Sequence, residues 1–77
     1  MIKFRLKQLI AEKEFRDRSK IGIKGISEET GIARSTLSRI ANVHGYSTTT
    51  DVLDKLCGYF ECKIEDLMEY VTDSDQS

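Results

Sequence analysis

The feature that most limits what this chain can fold into is Gly31, set between two short helical patterns. The stretch 23–42 reads Ile-Lys-Gly-Ile-Ser-Glu-Glu-Thr-Gly-Ile-Ala-Arg-Ser-Thr-Leu-Ser-Arg-Ile-Ala-Asn. One helix is predicted over Ile23–Thr30 and another over Ala33–Ala41. Gly31 stands where the first must stop and turn sharply, a place that favours a left-handed residue without a β-carbon. Ser27 is small where the helices approach most closely. Ile26, Ile32, Leu37 and Ile40 are spaced to fill the angle between them. Two short helices meeting at a fixed angle need further helices to cover their apolar sides.

Those further helices are present. The first is predicted over Lys3–Glu14, with Leu6, Leu9 and Ile10 on one face. Ile2, Phe4 and Leu6 also alternate with period two, so the first few residues fit an extended segment as well. Residues Phe15-Arg16-Asp17-Arg18-Ser19-Lys20 read as a polar, basic connector with Phe15 as its apolar anchor. Asn42 to Ser47 is a loop by its Asn and Gly content. Thr48-Thr49-Thr50-Asp51 offers hydroxyls to cap a fourth helix over Thr50–Phe60. Leu53, Leu56, Cys57 and Phe60 line it. A fifth helix, Ile64–Tyr70, carries Ile64, Leu67 and Met68, with Val71 beyond it. No segment shows a sustained strand pattern. The expected fold is all-α, a compact five-helix bundle over residues 1–71, followed by a disordered acidic tail at 72–77.

With 77 residues the chain is one domain with a lean core, and a multi-step enzyme with a deep cleft does not fit in it. No apolar run reaches the ~20 residues of a membrane span. Met1 leads into Ile2, Lys3 and Phe4 without signal-peptide architecture, so the expected location is the cytoplasm. Taken alone, the net charge of −1 disfavours a polyanionic partner. Its distribution removes that objection: +5 over residues 1–24, 0 over 25–42 and −6 over 43–77. Such a dipole orients a protein on a polyanion even when the total is nil.

A helical wheel over the second of the paired helices separates two faces. With Arg34 at ~0°, Ser38 falls near 40°, Asn42 near 80°, Ser35 near 100° and Arg39 near 140°. Ala33, Leu37 and Ile40 lie on the far side. The polar face holds two arginines, two serines and an asparagine, and no acid. These side chains can donate to guanine and adenine edges or to phosphate oxygens. Two helices joined this way form a helix-turn-helix, whose second helix enters the DNA major groove.

Over residues 6–71 the chain resembles the Cro/phage-repressor-type, Xre-like family of five-helix DNA-binding domains. The stretch Ile26–Ile40 is close to the family's helix-turn-helix pattern, and Asp51–Cys57 and Cys62–Leu67 resemble its fourth and fifth helices. The resemblance implies base reading by Arg34 and Ser35, and by Ser38 or Arg39 one turn on. It implies phosphate contacts at Ile23 and Lys24, at Ala33 and Thr36, and at Asn42, Tyr46, Ser47 and Thr48. Ser27 stands where the family usually has alanine. The connector 15–22 is longer and more basic than its commonest form, and Arg16, Arg18 and Lys20 either reach phosphates or stay solvated.

The expected function is therefore a sequence-specific regulator of transcription, a repressor, with a double-stranded DNA operator as partner. A module this small needs a homodimer, at least on DNA, and a pseudo-palindromic site with half-sites ~10 base pairs apart or a multiple of that. The alternative is an antitoxin-like or anti-regulator subunit gripping a protein partner through the acidic half. No cofactor, metal, small-molecule ligand or enzymatic activity is expected. Cys57 and Cys62 lack redox or zinc spacing, and the lone His44 has no ligand or nucleophile beside it.

Overall fold

A computed structural model describes residues 1–43 and 45–72. His44 and residues 73–77, which make up most of the expected acidic tail, lie outside the described residues. The elements follow in order as β1 (Ile2–Phe4), α1 (Leu6–Asp17), α2 (Gly22–Thr30), α3 (Arg34–Asn42), α4 (Thr50–Phe60), α5 (Ile64–Leu67) and β2 (Met68–Tyr70). The fold is mostly helical, with five helices among the described residues and one small two-stranded sheet.

The core is built where the apolar spacing places it. Leu6, Ile26, Leu37, Leu56 and Leu67 are at most 1% exposed, and Ile32, Ile40 and Phe60 complete the buried set. Leu9, Ile10, Leu53, Cys57 and the ring of Tyr59 pack around it, half-buried. Each fully buried Leu or Ile is worth about 1.5–3 kcal/mol of hydrophobic stabilisation. Helix α4 begins where expected because the Thr49 hydroxyl accepts the Val52 amide at 3.3 Å. It ends as Glu61 turns left-handed, with the Glu61 and Cys62 amides both donating to the Cys57 carbonyl.

Three expectations are corrected. Helix α1 starts at Leu6, not Lys3, and α5 stops at Leu67, not Tyr70. The residues released from each helix pair with one another as an antiparallel ladder, Ile2 with Tyr70, Lys3 with Glu69 and Phe4 with Met68. Flanking bonds extend it: the Val71 amide donates to the Met1 carbonyl at 2.8 Å, and the Arg5 amide to the Leu67 carbonyl at 2.7 Å. The period-two alternation of Ile2 and Phe4 is the signature of this strand. A continued α5 would have left the strand without a partner.

The second correction concerns the connector. Helix α1 runs on through Phe15, Arg16 and Asp17, helped by the Lys13–Asp17 ion pair at 3.2 Å one turn apart. It closes at Arg18, in a left-handed conformation, whose amide donates to the Glu14 carbonyl. Phe15 anchors nothing; it is 87% exposed. Third, Ile64 sits at the edge of α5 with 48% of its surface exposed and is not a core residue.

Candidate nucleic-acid interface

The angle between α2 and α3 is fixed by hydrogen bonds on both sides of Gly31. Gly31 has φ +80°, and its amide donates to the Ser27 carbonyl at 2.8 Å. A β-carbon there would strain the backbone, which only glycine adopts freely. The Ser27 hydroxyl donates to the Ile32 carbonyl at 2.6 Å. Thr30 donates its hydroxyl to the Ile26 carbonyl at 2.7 Å and accepts the Ile32 amide at 3.2 Å. Serine at position 27 is therefore a brace across the turn as well as a small filler.

Helix α3 buries one side and offers the other. Leu37 and Ile40 are 0% and 3% exposed, whereas Arg34, Ser35, Ser38, Arg39 and Asn42 are all exposed. Neither arginine makes an ion pair or side-chain hydrogen bond with a described residue. Two unpaired guanidiniums on a face without acids keep their donors available, five each in a fixed fork. Asn42 reaches back along the helix: its amide nitrogen donates to the Ser38 carbonyl at 2.9 Å and to the Ser38 hydroxyl at 3.4 Å. No side chain caps α3 at Ala33. Ala33 stands outside the helix and is exposed, unlike its inward place on the wheel.

The other expected contacts are spread around this face. Lys24 is exposed, without an ion pair among the described residues. The side chain of Ile23 packs against the core, so only its backbone can meet a phosphate. Thr36 and Thr48 are half-buried, Ser47 is exposed, and Tyr46 lays its ring on the core. Arg18 and Lys20 are exposed in the connector, and Arg16, on the last turn of α1, lies 3.8 Å from Asp17.

One residue that sequence reasoning missed is Glu14. Its carboxylate accepts the Ile21 amide at 2.7 Å and the Gly22 amide at 3.2 Å, and so fills the first positions at the start of α2. A carboxylate is favoured at a helix N-terminus by the free amides and the dipole. The contact spans the whole connector, and no local cap pattern announces it. Glu14→Ala is expected to cost about 1–2 kcal/mol, the usual worth of such a cap, in urea unfolding. A loss below a few tenths would show that the carboxylate does not hold α2.

Among the described residues no group of three or more His, Cys, Asp or Glu could hold a metal ion. Both cysteines are free thiols. Burial and the neighbouring Cys57 push the Cys62 thiol up, opposite to the shift that activates a cysteine. No helix among the described residues is long and apolar enough to cross a membrane.

No curated protein and no solved structure matches the chain at a significant level. The family pattern of the Cro/C1-type HTH DNA-binding domain matches residues 5–73. That span covers both paired helices, the loop that follows them and the two helices that close the core. The chain thus belongs to the Cro/C1-type helix-turn-helix family of DNA-binding domains.

Proposed function

We propose that the protein is a sequence-specific regulator of transcription, a repressor, that reads a double-stranded operator by inserting α3 into the major groove. The observation that carries this reading is the exposed face of α3, where Arg34 and Arg39 stand unpaired beside Ser35 and Ser38. Arg34 and Ser35 meet base edges first, with Ser38 and Arg39 one turn deeper. Lys24, the backbone at Ile23 and Ala33, Thr36, Asn42 and the segment Tyr46–Thr48 supply the phosphate contacts that set register.

One copy presents a single reading helix, too little surface for tight specific binding. Two copies on a pseudo-palindrome solve this. Ile64, Met68 and Tyr70 supply the apolar surface between copies; Tyr70 is 69% exposed and Ile64 48%. Domain residues 1–71 carry the function in this reading. Selection of bound duplexes from a random pool, followed by affinity against salt, tests it. A symmetric, enriched site is the expected result. Flat selection with salt-dependent binding alone would leave a nonspecific DNA binder.

A protein-partner reading, antitoxin-like or anti-regulator, draws on the −6 charge of residues 43–77. It is compatible with DNA binding, since the acidic half and the α3 face are separate in sequence. A stoichiometric protein captured without DNA supports it.

A further inference from the structure

Lys3 and Lys7 carry two charges that form no direct ion pair among the described residues. Lys3 stands directly opposite Glu69 in the β1–β2 ladder, the position where an ion pair would ordinarily form. The Glu69 carboxylate instead binds the Arg5 guanidinium at 2.5 Å. Arg5 is held there by a second bond, to the Glu65 carbonyl at 3.4 Å. With its natural partner occupied, Lys3 makes no ion pair or side-chain hydrogen bond with a described residue, and neither does Lys7 at the start of α1. Both lysines are exposed.

Their position relative to α3 gives these charges a use. Lys3 borders an open groove whose opposite wall is Ala41, Asn42 and Val43, the end of α3 and the start of the loop after it. Lys7 and Gln8 border an adjoining groove that shares Lys3, Phe4 and Ala41 and also holds the Arg5–Glu69 ion pair, so its charges sum to three cations against one acid. The half-buried Phe4 packs against the core and fixes β1 beside α3. The lysines are thus tethered to the same rigid body as the reading helix, just beyond its C-terminal turn.

The geometry points to Lys3 and Lys7 as a phosphate-contacting flank that takes the DNA backbone as it leaves α3 and lengthens the footprint on one side. This rests on α3 being the groove-reading helix. A duplex carries one charge per ~1.7 Å of axis, so a cation on a rigid strand beside it finds a phosphate without further fitting. These contacts are blind to sequence and fix register. Arg5 takes part indirectly, by pairing with the Glu69 carboxylate.

The test is the salt dependence of binding to the selected duplex by the full chain, its K3A/K7A double variant and the charge-restoring K3R/K7R. Each phosphate contact contributes a slope of ~0.9 in log affinity against log salt. The slope of K3A/K7A is expected to fall by about two contacts' worth, with the base preference unchanged and K3R/K7R like wild type. An unchanged slope and affinity in K3A/K7A, with wild type binding normally, would overturn the flank and leave the α3 reading standing. A wild-type chain that binds no duplex overturns the α3 reading itself, and the flank with it. Melting of both variants with the wild type's midpoint shows that the fold is intact.

Discussion

Leu37→Ala is expected to remove about 2–5 kcal/mol of stability, the range for a buried leucine cut to alanine. Leu37 is completely buried on the inner side of α3, in one cluster with Ile26, Ile32 and Ile40. These are the side chains that fill the angle at Gly31. The lost methyl groups therefore leave a cavity between the two helices whose relative placement matters most. Collapse around it is restricted, because the Ser27–Ile32 and Thr30–Ile26 bonds hold the turn on the other side. A domain of this size has roughly 4–11 kcal/mol in total at ~0.05–0.15 kcal/mol per residue. The loss is thus a large fraction of the whole. At ~4–8 °C per kcal/mol for small domains, the thermal midpoint drops by more than about 8 °C. Circular dichroism during heating and urea titration reads both quantities. Leu37→Met, which keeps the volume, should cost less than ~1.5 kcal/mol. A Leu37→Ala variant that melts within a degree or two of wild type would show that α3 is not packed through this residue.

The parts of the fold legible in the sequence share a physical cause: their signals are local. Helix α4 runs Thr50–Phe60 as its pattern predicts, because Thr49 caps it and Leu56 and Phe60 fix its inner face within a few turns. The α2–α3 pair is legible for the same reason, Gly31 and four aliphatic residues being enough to define the turn. The β1–β2 sheet was half legible. Ile2 and Phe4 alternate as a strand does, but the partner lies 64 to 68 residues away, at Met68–Tyr70, in a segment that reads equally as the end of a helix. Short strands acquire their identity from pairing, which no single segment carries.

Site residues divide in the same way. The exposure of Arg34, Ser35, Ser38 and Arg39 follows from periodicity alone. The Ser27 brace and the Glu14 clamp do not, since each depends on a carbonyl or amide brought close by tertiary structure. Phe15 shows the converse failure. An aromatic residue in a polar stretch suggests an anchor, but α1 continues through it and turns its ring to solvent.

Replacing Arg34 and Arg39 together with alanine is expected to have the largest effect on function. Each arginine that grips a guanine edge with two bonds is worth about 1–3 kcal/mol of affinity for the preferred site. Five residues apart on one short helix, they would meet different base pairs in the proposed reading, so the losses add to roughly 2–6 kcal/mol if each is independent. The decisive readout is selectivity. With both guanidiniums gone, binding to the selected site should approach that to unrelated duplex, and single base changes under α3 should lose their cost. Lys24→Ala supplies the contrast: it weakens all sequences alike and lowers the salt slope by about one. Because both arginines are exposed and unpaired, removal of each should change stability by no more than about ±0.5 kcal/mol, so that loss of binding cannot be mistaken for unfolding. Their isolation from acids matters in a chain whose net charge is −1. Bulk attraction to DNA is weak when the positive first third is balanced by a negative last half, and discrimination then rests on a few well-placed donors. If the double variant keeps both affinity and preference, α3 does not read the groove, and the helices carry another face to DNA.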